Sequence, residues 1–122
     1  MLFVGIGGIF GAITRFLLGK WITNKVSGPF PIATWIINIS GSFVLGFLVI
    51  LHNGHVIQDW LWFLCGTGFL GAYTTFSTFG YETIQMLKDQ KTKNAILYVF
   101  TSVVLGVLFA WIGGSIGSIL KY

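Results

Sequence analysis

The densest set of groups able to meet an ion lies in one uncharged stretch, Gly71-Ala72-Tyr73-Thr74-Thr75-Phe76-Ser77-Thr78-Phe79-Gly80, which follows Gly66 and Gly68. Glycines and β-branched threonines weaken a helix, and side-chain hydroxyls compete for backbone groups, so this composition predicts a break near mid-membrane. Non-helical backbone at that depth persists only where it is buried in protein or lines a cavity. A break would offer carbonyl oxygens to a small hard cation and amide hydrogens to an anion. The competing reading is a continuous Thr-rich helix whose hydroxyls bond back one turn. Phe76 and Phe79, taken singly, are packing groups. Their rings also have positive edges that favour an anion without a fixed charge, and such loose holding suits transit better than tight binding. Glu82, three residues after Phe79, is placed to face the same path or to pair with a lysine.

Two further rows carry polar groups through apolar runs. Thr34, Asn38, Ser42 and Gly46 recur at steps of four, a drifting stripe along one helix side, widened by Gly41. Asn38 serves either as an interhelical hydrogen bond or as an amide whose two donors an anion accepts in passing. Tyr98 and Ser102 begin a similar row that continues through Gly106, Ala110, Gly114 and Ser118, either a packing seam throughout or one whose start extends a polar track. Near the N-terminus Gly7 and Gly11 permit close helix approach, and Arg15 follows on the same row, either snorkelling toward the interface at Lys20 or drawing anions to a pore mouth. His52 and His55, at i and i+3, lack the Cys or carboxylate company a metal site needs and read as residues beside a turn.

The elements that must hold these groups follow from composition. Of 122 residues, 55% are hydrophobic, 17% aromatic and only 8% charged, against about 25% charged in a soluble domain. That excludes a water-facing surface and predicts an all-α integral membrane protein. A spanning helix needs about 20 apolar residues. The chain accommodates four, near residues 2–19, 32–51, 59–87 and 95–120, in a single domain, with a turn-rich stretch at residues 23–31. The first run opens without a basic leader and is read as a retained helix. Three acids leave little for acid–base catalysis, so no enzyme is expected. The single cysteine, Cys65, permits no internal disulfide. No clustered basic face with interleaved aromatics suggests nucleic acid. Trp21, Trp35, Trp60, Trp62 and Trp111 lie mostly near span ends, as an interfacial belt requires. Lys20, Lys25, Lys88, Lys91 and Lys93 fall on one side of four spans and only Lys121 on the other, which predicts both termini extracytoplasmic in one fixed topology.

The chain resembles the CrcB/Fluc fluoride channels over essentially its full length. The resemblance rests on Gly-Gly-Ile-Phe-Gly-Ala-Ile-Thr-Arg-Phe at residues 7–16, Asn-x-x-Gly-Ser-Phe at 38–43 and, most specifically, Gly-Ala-Tyr-Thr-Thr-Phe-Ser-Thr-Phe at 71–79. It implies an antiparallel, dual-topology dimer in the cell membrane with two narrow fluoride pathways. A structural, non-transported Na+ would sit at the central interface, on the broken-helix carbonyls of Gly71 and Thr74. Phe76 and Phe79 would be the edge-on rings and Asn38 the pore amide, with Ser77, Thr78, Tyr98 and Ser102 extending the polar track. Glu82 would stand near one end, and Arg15 would match the family's helix 1 arginine. The implied activity is passive release of fluoride that entered as hydrogen fluoride and ionised in the cytoplasm. Members include homodimers and unequal pairs, and the five-to-one lysine bias favours one half of such a pair.

Two other functions share parts of this pattern. A small four-helix multidrug exporter has the same size, but it relies on a helix 1 carboxylate and no acid precedes Asp59. A non-transporting membrane scaffold explains the glycines but not the Thr-Thr-Phe-Ser-Thr-Phe run.

Overall fold

The computed structural model describes residues 1–26 and 30–121, apart from the Lys121 side chain. It is all helical, with no strand among the described residues. Three helices are long and apolar enough to cross a membrane: α1 (Leu2–Lys25), α2 (Ile32–Asn53) and α5 (Thr92–Lys121). The remaining segment is composite. α3 (residues 59–73) is an α-turn at Asp59–Leu61, a π-helical stretch at Trp62–Leu70 and a further turn at Gly71–Tyr73. α4 follows at Ser77–Lys88.

Helix ends depart from the apolar boundaries in a consistent way. α1 continues past Gly19 through Lys20, Thr23, Asn24 and Lys25 and stops only at Val26, where the backbone is extended (φ −125°, ψ 128°). None of those residues is a Gly or Pro that would break the ladder, so the helix outlasts its apolar stretch. Of the turn-rich stretch expected at residues 23–31, Ser27, Gly28 and Pro29 lie outside the described residues. α5 likewise begins at Thr92 rather than Ala95.

Glycines let backbones touch and so fix two helix pairs. A Cβ at Gly7 would overlap the Leu64 carbonyl oxygen and one at Gly11 that of Phe69, while a Cβ at Gly68 would lie 2.6 Å from Val4 O. α1 and α3 therefore press backbone on backbone. Between α2 and α5, a Cβ at Gly46 would overlap the Ala110 carbonyl oxygen and one at Gly113 that of Phe43. The closest approach thus falls on Ala110, within the small-residue row that the sequence suggested, and then on Gly113 and Gly117 rather than on Gly114 and Ser118. At 3.6 residues per turn a four-residue row drifts by about 40° per step, so the contact passes to the adjacent row along the helix.

Two small cores flank the junction of α3 and α4. Ile37, Leu70 and Tyr73 form one with Leu18, Leu48 and Phe69; Met86, Ala95 and Tyr98 form the other with Phe30, Trp35 and Phe79. Outside them, large apolar side chains such as Phe10, Phe16, Phe100 and Trp111 point outward, as a lipid-facing surface requires. The α2–α3 corner is closed by His52, whose Nε2 lies 2.9 Å from Asp59 Oδ1 and whose ring stacks on Trp62 at 5.0 Å. His55 takes a left-handed turn conformation (φ 61°). No group of three or more metal-ligating side chains gathers among the described residues.

Replacing Gly46 or Gly113 by Val will force these carbonyls apart. The expected loss is about 1–3 kcal/mol of stability in detergent, measured by thermal or denaturant unfolding. Gly5→Ala, where an added Cβ meets nothing within 4 Å, will not lower the unfolding midpoint and will raise it if anything, since Ala favours the helix over Gly.

Candidate functional site

Between α3 and α4 the helical ladder stops, and the backbone hydrogen bonds can be followed one by one. Thr74 is extended (φ −78°, ψ 156°). Its N–H and its Oγ1 both donate to the Leu70 carbonyl, at 3.0 and 2.9 Å. The next peptide is claimed by α2. Thr75 N donates to Asn38 Oδ1 at 2.9 Å, and Asn38 Nδ2 donates to Thr75 O at 3.0 Å. Thr75 Oγ1 accepts the Thr78 N–H at 3.3 Å, and the ladder resumes with Gly80 N donating to Phe76 O. Among the described residues, the carbonyls of Gly71, Ala72, Tyr73 and Thr74 therefore receive no backbone hydrogen bond. Gly41 makes room for this arrangement, since a Cβ there would overlap the Thr74 methyl.

Four successive free carbonyls form a neutral oxygen donor set, the chemistry that suits a hard cation such as Na+. Gly71 is exposed on the subunit surface, with open space where a Cβ would stand.

Two clefts share Thr75 in their walls. The first, of about 340 Å³, is lined by Asn38, Ser42, Thr74, Phe76, Phe79 and Ser102, among others. The second, of about 400 Å³, is lined by Arg15, Lys20, Thr34, Thr78 and Glu82, among others. Thr75 borders both. The expected site residues are thus divided between them. Ser102 lines the first cleft, and its Oγ is buried with no hydrogen-bond partner among the described residues. Phe76 and Phe79 lie 6.2 Å apart between ring centroids, tilted by 42°. Phe76 is 85% exposed on this single subunit.

Tyr98 and Ser77 border neither cleft. Tyr98 is 0% exposed, packs its ring 4.9 Å from Phe79 and directs its hydroxyl to Glu82 Oε1 at 3.4 Å. It supports the two clefts from behind. Glu82 faces that hydroxyl and makes no ion pair with a lysine among the described residues. Ser77 is exposed at the head of α4. Asn38 spends its carbonyl oxygen and one N–H on Thr75, which leaves one N–H for anything in the cleft. Sequence reasoning missed Thr75 because its backbone, not its side chain, does the pairing. It placed Lys20 near Arg15 but missed Thr34 as a neighbour of Glu82 in the same cleft.

A family model described as CrcB-like protein, Camphor Resistance (CrcB), matches residues 2–114. The chain belongs to the CrcB-like family. Similar curated proteins match nearly end to end. One from Moorella thermoacetica, named fluoride-specific ion channel FluC 2, is 47% identical over 112 residues, covering 92% of this chain and 91% of its own. A Bacillus cereus protein of the same name is 46% identical, covering 97% of each chain. A Geobacillus kaustophilus protein named fluoride-specific ion channel FluC 1 is 41% identical, covering 95% and 96%. Membership of this family, together with three helices able to span, makes the CrcB-like chain a multi-pass membrane protein.

Asn38→Ala will orphan both polar groups of Thr75 and cost about 1–3 kcal/mol, with faster hydrogen exchange at the Thr75 amide. Thr75→Ser, which keeps the backbone pair and the hydroxyl, will change neither reading.

Proposed function

We propose that the chain is one subunit of a fluoride-selective channel that lets fluoride leave the cell passively. The observation that carries this reading is the first cleft. It gathers a free amide hydrogen on Asn38, an unpartnered hydroxyl on Ser102 and the rings of Phe76 and Phe79, with no fixed charge among them. Neutral donors of this kind bind an anion weakly enough to release it. The names of the relatives, fluoride-specific ion channels at 41–47% identity, supply the ion.

The second cleft continues the path. Arg15 and Lys20 raise the local concentration of anions, and Thr34, Thr78 and Glu82, the last held from behind by the Tyr98 hydroxyl, present polar groups along it. Ser77 stands beside the path. The interruption at Thr74 is the helix break at mid-membrane, and the carbonyls of Gly71 and Thr74 hold a structural Na+ where two inverted subunits meet. Exposure of Gly71 and Phe76 on the single chain supports a second subunit covering both. Both termini lie outside the cell, as the lysine bias requires. Five lysines against one favour a paired paralogue over a homodimer, and relatives bearing the numbers 1 and 2 in their names are consistent with such pairs.

Fluoride efflux from proteoliposomes, followed with a fluoride electrode, tests the reading directly. Wild-type protein, alone or with its paralogue, will release fluoride above empty vesicles. Phe76→Ile and Phe79→Ile will each cut the rate by at least about tenfold while the protein still purifies as a dimer. Equal release from vesicles with and without protein in both preparations would remove the channel assignment. A cysteine at Lys91 will react with an impermeant thiol reagent only from the cytoplasmic side of intact cells. Labelling from outside would overturn the fixed orientation.

A further inference from the structure

Three consecutive residues of the interruption straddle α2. Thr75 grips Asn38 on one flank, the Thr74 methyl lies over Gly41, and Tyr73 reaches the opposite flank at Ser40. Ser40 Oγ lies 3.1 Å from the Ile37 carbonyl and 3.0 Å from Tyr73 OH, and either hydroxyl can donate in the latter bond. When Ser40 gives its one hydrogen to Ile37, Tyr73 is the donor. The Tyr73 ring is otherwise fixed on both faces. It stacks on Phe69 at 5.7 Å and 18°, and it lies against Gly41, where an added Cβ would stand 3.4 Å from Tyr73 Cδ2. It is 8% exposed and packs with Ile37 and Leu70.

Tyr73 is also the last helical residue before the extended Thr74, in the middle of the four carbonyls without backbone partners. A peptide group between two anchored residues has little freedom to rotate. With Thr75 held by Asn38 and Tyr73 held by Ser40, the Tyr73 and Thr74 carbonyls are pinned from both ends. We propose that Ser40 and Tyr73 are positioning residues for the cation bound by the Gly71–Thr74 carbonyls. Their hydrogen bond fixes the direction in which those oxygens point. The inference rests on the Na+ reading of that donor set given above. Neither side chain touches the ion; both act through the backbone.

The test is thermal unfolding of the purified protein in detergent against Na+ concentration, with N-methylglucamine holding ionic strength constant. Wild type will be stabilised by Na+ along a saturating curve, because an ion that binds the folded state raises the midpoint. In Tyr73→Phe and Ser40→Ala the half-saturating Na+ concentration will be roughly three- to tenfold higher, the loss expected from one hydrogen bond. The double variant will match either single one, since the two hydroxyls form one bond. Ser40→Thr, which keeps a hydroxyl at the same atom, will restore the wild-type value. A purely structural bond would lower the midpoint equally at every Na+ concentration and leave the half-saturating value alone. That result in Tyr73→Phe and Ser40→Ala, with wild type still responding to Na+, would overturn the positioning role. A wild type whose midpoint ignores Na+ would instead overturn the cation reading, and this inference with it.

Discussion

A peptide group that leaves a helix among packed side chains must find a new hydrogen-bond partner, so another part of the protein must supply one or the helix cannot open. Here the supplier is a single carboxamide. Asn38 presents an acceptor and a donor at the spacing of a neighbouring peptide, and Thr75 meets both. The exchange relieves the one residue whose orphaned groups would have closed the ladder. The carbonyls just upstream stay unbonded as a consequence. The open oxygens lie just upstream of the pair and α4 resumes just downstream of it, with one side chain between them acting as a short piece of backbone.

That arrangement needs helices held at fixed spacing, and the glycines provide it. Where α1 lies on α3, and α2 on α5, the limiting contact is between main chains rather than interleaved side chains. Main-chain contacts have no rotamers to relax. A shift of α2 by a fraction of an ångström would reach Asn38 undamped, and amide geometry tolerates little of it. Rigid packing at Gly46 and Gly113 and the two-point bond at Thr75 are therefore parts of one mechanical unit.

Length and apolarity made α1, α2 and α5 legible in the sequence, since a lipid-facing helix leaves a run of hydrophobic residues and little else. The ends were less legible. Lys20, Thr23, Asn24 and Lys25 mark the end of the apolar run, but polarity says where lipid stops rather than where the helix does, and α1 runs on to Lys25. The π-helical turns at Trp62–Leu70 left no trace, because arguments from periodicity assume 3.6 residues per turn. At the site, Asn38, Phe76, Phe79 and Ser102 stood out by residue type, and the structure gathers them in one cleft. The Asn38–Thr75 pair did not stand out. Its partners are 37 residues apart, and Thr75 contributes a peptide group that every residue except proline carries. Tyr98 was read as a lining residue for its hydroxyl, yet its ring size decides its place in the aromatic core with Phe30 and Phe79.

Phe76, 85% exposed, leaves one wall of the first cleft on the outer face of the subunit. In a bilayer, acyl chains occupy any apolar hollow that protein does not cover, and hydrocarbon is a barrier to every ion. In the proposed channel, a subunit inserted without its partner would have this hollow filled by the membrane itself, and pairing would be the step that clears lipid from the proposed path.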